Sequence, residues 1–246
     1  MRPYYKDESV VLYHGDWRDA AWLRGDLIIA DPPYGETSLD WDRWPSGWPG
    51  QALPLAPQMW CFGSFRMFWD RSLEFDGWKL AQEVIWEKHN GSGFHADRFK
   101  RVHEVVAHFY TGAWGDLYLA PVTTPDATKR TIRRKRRPPH TGRIEAGSYA
   151  SEDGGPRLMR SVIQVRSCHG RAINETQKPE GIVRPLIEYS CPPGGTVISL
   201  FAGSGTDLLV AKELGRKAIG FEVREGQCEG AARRLSQEVP ALGGAA

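Results

Sequence analysis

The sequence predicts an α/β fold built on a mostly parallel sheet, and three observations carry that expectation. First, Leu27, Ile28, Ile29 and Ala30 form a run with no polar position, as a strand buried on both faces requires. Second, from residue 179 onward helix and strand patterns alternate: PEGIVRPLIEYS, TVISLF, GTDLLVAKELG closed by Gly215, KAIGFE, and REGQCEGAARRLSQEV. Such alternation lays helices between parallel strands. Third, EVIWEK and HEVVAHFYT read as an antiparallel hairpin, so one part of the sheet departs from the parallel pattern.

The elements follow in order. VVLYHGD (residues 10–16) is a short strand closed by Gly15 and Asp16, and the Leu27 run comes next. GETSLDWDRWPSGWPG (residues 35–50) is rich in Trp, Pro and Gly with too little periodicity for a helix, and reads as a long loop in the position of a lid. QMWCFGS then supplies a third strand ahead of the hairpin. Residues 112–161 lack sustained apolar periodicity and read as an insertion. In HEVVAH, His103, Glu104 and His108 resemble the zinc signature H-E-x-x-H, but the second His comes one residue too late to share a face with the first. No metal site is expected.

A length of 246 residues suits one α/β core with an insertion. No stretch of eighteen apolar residues occurs and MRPYYKDESV lacks an apolar signal core, so a soluble, cytoplasmic protein with no membrane partner is expected. Cys61, Cys168, Cys191 and Cys228 are scattered without a C-x-x-C, as reduced structural thiols are. The net charge of +2 hides a strong asymmetry. KRTIRRKRRPPHTGR (residues 129–143) holds eight Lys and Arg and no acid, which leaves −6 for the rest. Such a run is either a solvated loop or a phosphate-binding strip.

Two stretches concentrate the chemistry. Asp31 falls at the carboxyl end of the Leu27 strand, where open α/β sheets place their ligand crevice, and Pro32, Pro33 and Tyr34 follow it. Asp-Pro-Pro is also an ordinary way to leave a strand, so both readings stand on these letters alone. The second stretch, ISLFAGSGTD, sets Gly203 and Gly205 between a strand and a helix. No Lys follows Gly205, against a Walker loop, and Leu208 stands where a dinucleotide fingerprint needs a third glycine. What remains is a turn that lets a ligand approach the backbone, with Glu222 ending the next strand as an acceptor for ribose hydroxyls. A ribose without a pyrophosphate points to S-adenosylmethionine; a glycine turn beside an incidental acid is the plainer reading.

With DPPY, FAGSGT and NETQKP (residues 174–179) in one chain, the sequence resembles the DNA amino-methyltransferases in their beta-class arrangement, where the catalytic motif precedes the cofactor loop. The resemblance covers nearly all of the chain outside the insertion. It implies a Rossmann-like S-adenosylmethionine-dependent methyltransferase fold with permuted motif order: a catalytic half at residues 1–111, an inserted target-recognition region at 112–161, and a cofactor-binding half at 162–246. It further implies catalytic roles for Asp31, Pro32 and Tyr34. Cofactor contacts would come from Asp16 (to adenine), Asp31, Lys178, Phe201, Ala202, Gly203, Ser204, Gly205, Thr206 and Glu222. Phosphate contacts would come from Arg133, Arg134, Lys135, Arg136 and Arg137. Double-stranded DNA is the implied partner; dimerisation, frequent among beta-class relatives, is left open. Two positions depart from the pattern. Ser199, Leu200 and Phe201 replace the usual Asp-Pro-Phe, removing an acid that helps hold the cofactor's methionine end, and Asn174 stands where His is usual.

The implied reaction is methylation of adenine N6 after the base is flipped from the helix. Cytosine N4 methylation uses the same amine chemistry, but that subgroup more often opens the motif with Ser than with Asp. A protein-glutamine methyltransferase would open it with Asn and place it after the glycine loop. A DNA-binding relative with weakened catalysis is the reading that Ser199 and Leu200 would support.

Overall fold

A four-residue strand without polar side chains needs cover on both faces and a partner on both edges. The computed structural model, which describes residues 1–92, 96–134, 147–168, 170, 172–173 and 176–237, gives the Leu27 strand all of these. The strands are β1 (Tyr5–Lys6), β2 (Val10–His14), β3 (Leu27–Ala30), β4 (Gln58–Gly63), β5 (Lys79–Ser92), β6 (Arg101–Tyr110), β7 (Thr123–Thr124), β8 (Arg130–Arg134), β9 (Gly147–Ser151), β10 (Arg157–Leu158), β11 (Val162–Gln164), β12 (Thr196–Ser199) and β13 (Lys217–Glu222). The α-helices are α1 (Trp48–Ala52), α2 (Phe65–Asp70), α3 (Glu180–Ser190), α4 (Thr206–Glu213) and α5 (Glu225–Leu235).

The main sheet runs in the order β1-β2-β13-β12-β3-β4-β6-β5-β11. From β2 to β4 every pairing is parallel; β5 and β6 form the expected antiparallel hairpin, and β11 rejoins β5 in parallel. All four β3 residues are buried. The pairing that matters for function joins β3 to β12, with Ser199 opposite Ile29, because it sets the two informative stretches side by side although they lie far apart in the chain.

Each helix is placed by its apolar pattern. In α3 the buried residues Ile182, Val183, Leu186, Ile187 and Ser190 trace one face, as an amphipathic helix against a sheet requires. Helix α4 is different: Thr206, Asp207, Leu208, Leu209, Val210 and Ala211 are buried in succession, so it sits inside the protein and carries two polar side chains in with it. Gly205 caps it at φ +68°, and a Cβ at Gly220 would stand 2.6 Å from Leu208, which is why β13 approaches α4 through a glycine.

Three features differ from the sequence reading. The stretch expected to be loop throughout residues 35–50 ends in α1, whose Trp48 and Pro49 are buried; five residues are too short for periodicity to show. Helix α2 was not anticipated either. Residues 112–161 contain β7 to β10, in two short two-stranded ribbons with mostly exposed residues, so no alternation marks them. The chain divides into two compact units, residues 1–120 with 161–246 and residues Pro121–Arg160. Ala120 N–H donates to Tyr189 O at 2.8 Å within the larger unit. All four cysteines are unpaired. Among the described residues no helix is long and apolar enough to cross a membrane.

His108 explains the near-miss zinc signature. It is fully buried on β6, stacked on Trp60 at 4.3 Å, with Nε2 3.1 Å from the Gln58 side-chain oxygen. Burial pushes its pKa down to about 4, so it is a neutral core residue. A group that binds its proton more weakly when folded contributes stability above its unfolded pKa of about 6.5, and that stability is lost as pH falls through about 4. Unfolding free energy should therefore drop by about 3 kcal/mol over this interval from this residue alone. Urea titrations of wild type and His108→Gln at a series of pH values should show a shallower acid decline in the variant; parallel declines would mean that His108 does not titrate on unfolding.

Candidate active site

Asp31 leaves the end of β3 into a buried cluster of charge. Lys178, which precedes α3, donates to Asp31 Oδ2 at 2.7 Å and stands 3.5 Å from Glu104 Oε2. Glu104 lies on β6 and forms a second ion pair with Lys88 of β5. The Tyr34 hydroxyl donates to Asp31 Oδ1 at 2.9 Å, and the Lys178 ammonium sits 5.8 Å from the Tyr34 ring centre and 5.3 Å from that of Phe62. Burial pushes the Asp31 carboxyl above the usual carboxylate range; Lys178 opposes that shift and Glu104 reinforces it. Burial disfavours a charge on Glu104 too, but Lys178 and Lys88 outweigh it and hold that carboxyl low. Lys178 is pulled down by burial and held up by its two carboxylate partners. Burial also raises Tyr34 well above its ordinary value, so its hydroxyl remains a donor.

Two cavities meet beside Asp31 and share Asp31, Thr176, Phe201 and Gly203 in their walls. The larger, about 310 Å³, is lined by Asp16, Pro33, Trp41, Trp48, Glu222 and Arg224 among others. The smaller, about 30 Å³, is lined by Lys178, Ala202, Ser204, Thr206 and Asp207. Glu222 Oε2 accepts from Gly203 N at 2.9 Å, and its Oε1 accepts from Arg224 N at 2.8 Å and from Arg224 Nε at 3.4 Å, which fastens the glycine turn to β13 and leaves an acceptor direction free on Oε2. Asp16 is held by Arg18, whose Nε donates to both of its oxygens at 2.9 and 3.0 Å; this guanidinium keeps the Asp16 carboxyl low. The Arg224 guanidinium lies 4.5 Å from the Trp41 ring centre in the same wall. Gly203 (φ +49°) keeps the turn free of a side chain where it faces both spaces, whereas Gly205 (φ +68°) turns toward α5, where a Cβ would stand 3.1 Å from Ala231.

The loop after Tyr34 is fastened rather than loose. Asp42 accepts from the backbone N–H groups of Gly35, Glu36 and Thr37 at 2.8, 3.0 and 2.7 Å, and Glu74 accepts from Trp44 Nε1 and Gly47 N. Pro32 is buried and Pro33 lines the larger cavity.

The structure thus gathers Asp16, Asp31, Pro32, Tyr34, Lys178, Glu222 and the turn from Phe201 to Thr206 into one region. Of the basic residues, Arg133 lies exposed on β8 and Arg134 ends that strand; Lys135, Arg136 and Arg137 lie outside the described residues, as does Asn174. Sequence reasoning missed Glu104, Lys88 and Asp207. Glu104 sat inside the motif rejected for zinc, and its even spacing to Val106 and His108 on a strand was the available signal. Among the described residues no group of three or more potential ligands could hold a metal ion.

An acid at the carboxyl edge of a parallel sheet, a glycine turn on the neighbouring strand and an acid closing the next strand define a nucleoside-cofactor enzyme of the Rossmann-like class. Comparison with known proteins gives the family: residues 25–233 match the DNA methylase family (N6_N4_Mtase), and the chain belongs to it. The type II methyltransferase M.ScaI of Streptomyces caespitosus is 23% identical over 98% of this chain and 86% of its own. Among solved structures, the M1.HpyAVI–SAM complex superposes with a TM-score of 0.62 at 20% identity, covering 92% of this chain and 100% of that one. The cytosine-N4-specific PvuII DNA methyltransferase superposes with a TM-score of 0.64 at 16% identity, covering 98% and 91%. The fold is that of the S-adenosylmethionine-dependent DNA methyltransferases.

The charge cluster makes opposite predictions for Lys178 and Glu104, its two middle members. Lys178→Met removes the group that lowers the Asp31 pKa, so the acidic limb of DNA methylation should move to higher pH. Glu104→Gln removes a charge that raises it, so the limb should move to lower pH. Unpairing buried carboxylates in Lys178→Met should also cost about 3–5 kcal/mol of stability. Shifts of the same sign in pH–rate profiles of the two variants would mean that another group sets the limb.

Proposed function

We propose that this methyltransferase transfers a methyl group from S-adenosylmethionine to N6 of an adenine flipped out of double-stranded DNA. The observation that carries the reading is the Asp31 carboxylate, held at the junction of two cavities by Tyr34 on one oxygen and Lys178 on the other. An exocyclic amine is a weak nucleophile because its lone pair is delocalised into the ring. If Asp31 and the Pro32 carbonyl each accept one of its N–H bonds, the nitrogen is drawn toward tetrahedral geometry and its lone pair is freed. When bound, the cofactor supplies a sulfonium methyl as electrophile. As the nitrogen becomes positive, Asp31 is placed to take its proton, since burial has raised that carboxyl. Tyr34 holds Asp31 and offers a ring to the displaced base, offsetting part of an unstacking cost of about a few kcal/mol.

The cofactor's adenosine half suits the larger cavity, where Glu222 can accept from ribose hydroxyls and Asp16 from the adenine amine. Trp41 and Trp48 supply apolar wall there. Asp31, in a position where the cytosine-N4 members more often carry Ser, favours adenine as the target. Arg133 and Arg134, with Lys135, Arg136 and Arg137 after them, would meet phosphates, which orient a protein on DNA without reading its sequence.

Two measurements test this reading. Asp31→Asn keeps one carbonyl acceptor but loses the charge, an electrostatic loss of about 2.7–4 kcal/mol, so methyl transfer should fall at least about a hundredfold while the fold persists. The wild-type product, read by nucleoside mass spectrometry, should be N6-methyladenine; N4-methylcytosine would overturn the choice of base, and undiminished activity in the variant would overturn the role of Asp31. Neutralising Arg133, Arg134, Arg136 and Arg137 together should flatten the salt dependence of DNA binding by about 0.9 in logarithmic slope for each phosphate no longer neutralised. An unchanged slope would make the run a solvated loop.

A further inference from the structure

Asp207 is a buried carboxylate that the reaction above does not use. It stands in the first turn of α4, is 8% exposed, and forms no ion pair among the described residues. One oxygen accepts from Leu208 N at 3.0 Å. The Ser199 hydroxyl beside it is fully buried and makes no hydrogen bond of good geometry. Burial pushes the Asp207 carboxyl up to about 6; Ser199 and the Leu208 N–H pull it back, and the Asp31 carboxylate pushes it further. Near neutrality it is largely ionised and short of a cation.

The small cavity shows what partner would fit. Its charged walls are Asp31, Asp207 and Lys178, and the single ammonium is already committed to Asp31 and Glu104. Glu104 is further matched by Lys88. The cluster therefore carries one negative charge in excess, and that charge is on Asp207. Buried charge is stable only when paired, so the cavity is built to receive one cation. Its position decides which. It meets the larger cavity at Asp31, Thr176, Phe201 and Gly203, and the walls of that larger cavity include Asp16 and Glu222, the acceptors suited to a nucleoside.

We propose that Asp207 binds the α-ammonium group at the methionine end of S-adenosylmethionine, supplying the carboxylate that this chain lacks at Ser199. The inference rests on the cofactor assignment made above. A carboxylate placed at 199 would then crowd Asp207 rather than aid it, so the polar loss at Ser199 does not mark a weakened cofactor site.

Calorimetric titration of the full chain with S-adenosylmethionine and with 5′-methylthioadenosine, which has the nucleoside and sulfur but no amino acid, separates the possibilities. Asp207→Asn should lower affinity for S-adenosylmethionine at least about tenfold, as loss of a charge-assisted hydrogen bond does, and leave 5′-methylthioadenosine unchanged. Ser199→Asp alone should not tighten binding. The double variant Ser199→Asp with Asp207→Asn, which moves the carboxylate to its neighbour, should recover most of the lost affinity. Unchanged S-adenosylmethionine binding in Asp207→Asn, equal loss of both ligands, or no recovery in a double variant that still binds 5′-methylthioadenosine would each overturn the proposal. Failure of the wild type to bind either ligand would instead overturn the cofactor assignment beneath it.

Discussion

The ion pair between Asp31 and Lys178 is the constraint around which the rest of the site is arranged. A carboxylate at the end of a buried strand is expensive to ionise, and its charge is what would stabilise an amine nitrogen as it becomes positive. Lys178 resolves this by standing 2.7 Å away, yet a lysine in the same interior needs partners of its own. Glu104 supplies one, and Lys88 in turn matches Glu104. Four residues from four segments thus share the cost of keeping one carboxylate charged, and Tyr34 fixes its remaining oxygen.

That arrangement depends on topology. In the chain the acid at Asp31 precedes the glycine turn by some distance, but in the sheet β3 and β12 are neighbours in register, so strand ends far apart in sequence deliver their turns to one edge. The hairpin of β5 and β6 then carries Glu104 and Lys88 to the same region from the other direction, through the antiparallel pairing of β6 with β4. Order along the chain is thereby decoupled from order in space, and a catalytic motif ahead of its cofactor loop folds to the same edge of the sheet.

The turns after β3 and β12 are held by carboxylates acting on backbone. Asp42 gathers three successive N–H groups after Tyr34, Glu74 anchors the far end of that loop, and Glu222 ties the glycine turn to the strand beside it. Pinning the loop before any ligand arrives lowers the ordering cost that binding would otherwise carry. The walls of both cavities are in this sense prepared by residues that are themselves structural.

Much of the fold was legible in the residues. The unbroken apolar run of β3, the alternation after residue 179 and the glycines flanking α4 are local patterns, and local patterns report strands, helices and turns because backbone geometry and burial act over a few residues. Asp31 and Glu222 were legible for the same reason, each being an acid that ends a strand. The short helix α1 and the exposed ribbons β7 to β10 were not, since five-residue helices and solvated strands have no periodicity to display. Nor could the sequence name the partners of Asp31: Lys178 is 147 residues away, and Glu104 and Lys88 belong to a hairpin whose neighbours only the sheet order decides. By itself the sequence determined which groups stand at the ends of strands. The tertiary structure decided which charges neutralise one another and left Asp207 without a cation among the described residues, because Coulomb energy and desolvation depend on distance and burial in space and not on separation along the chain.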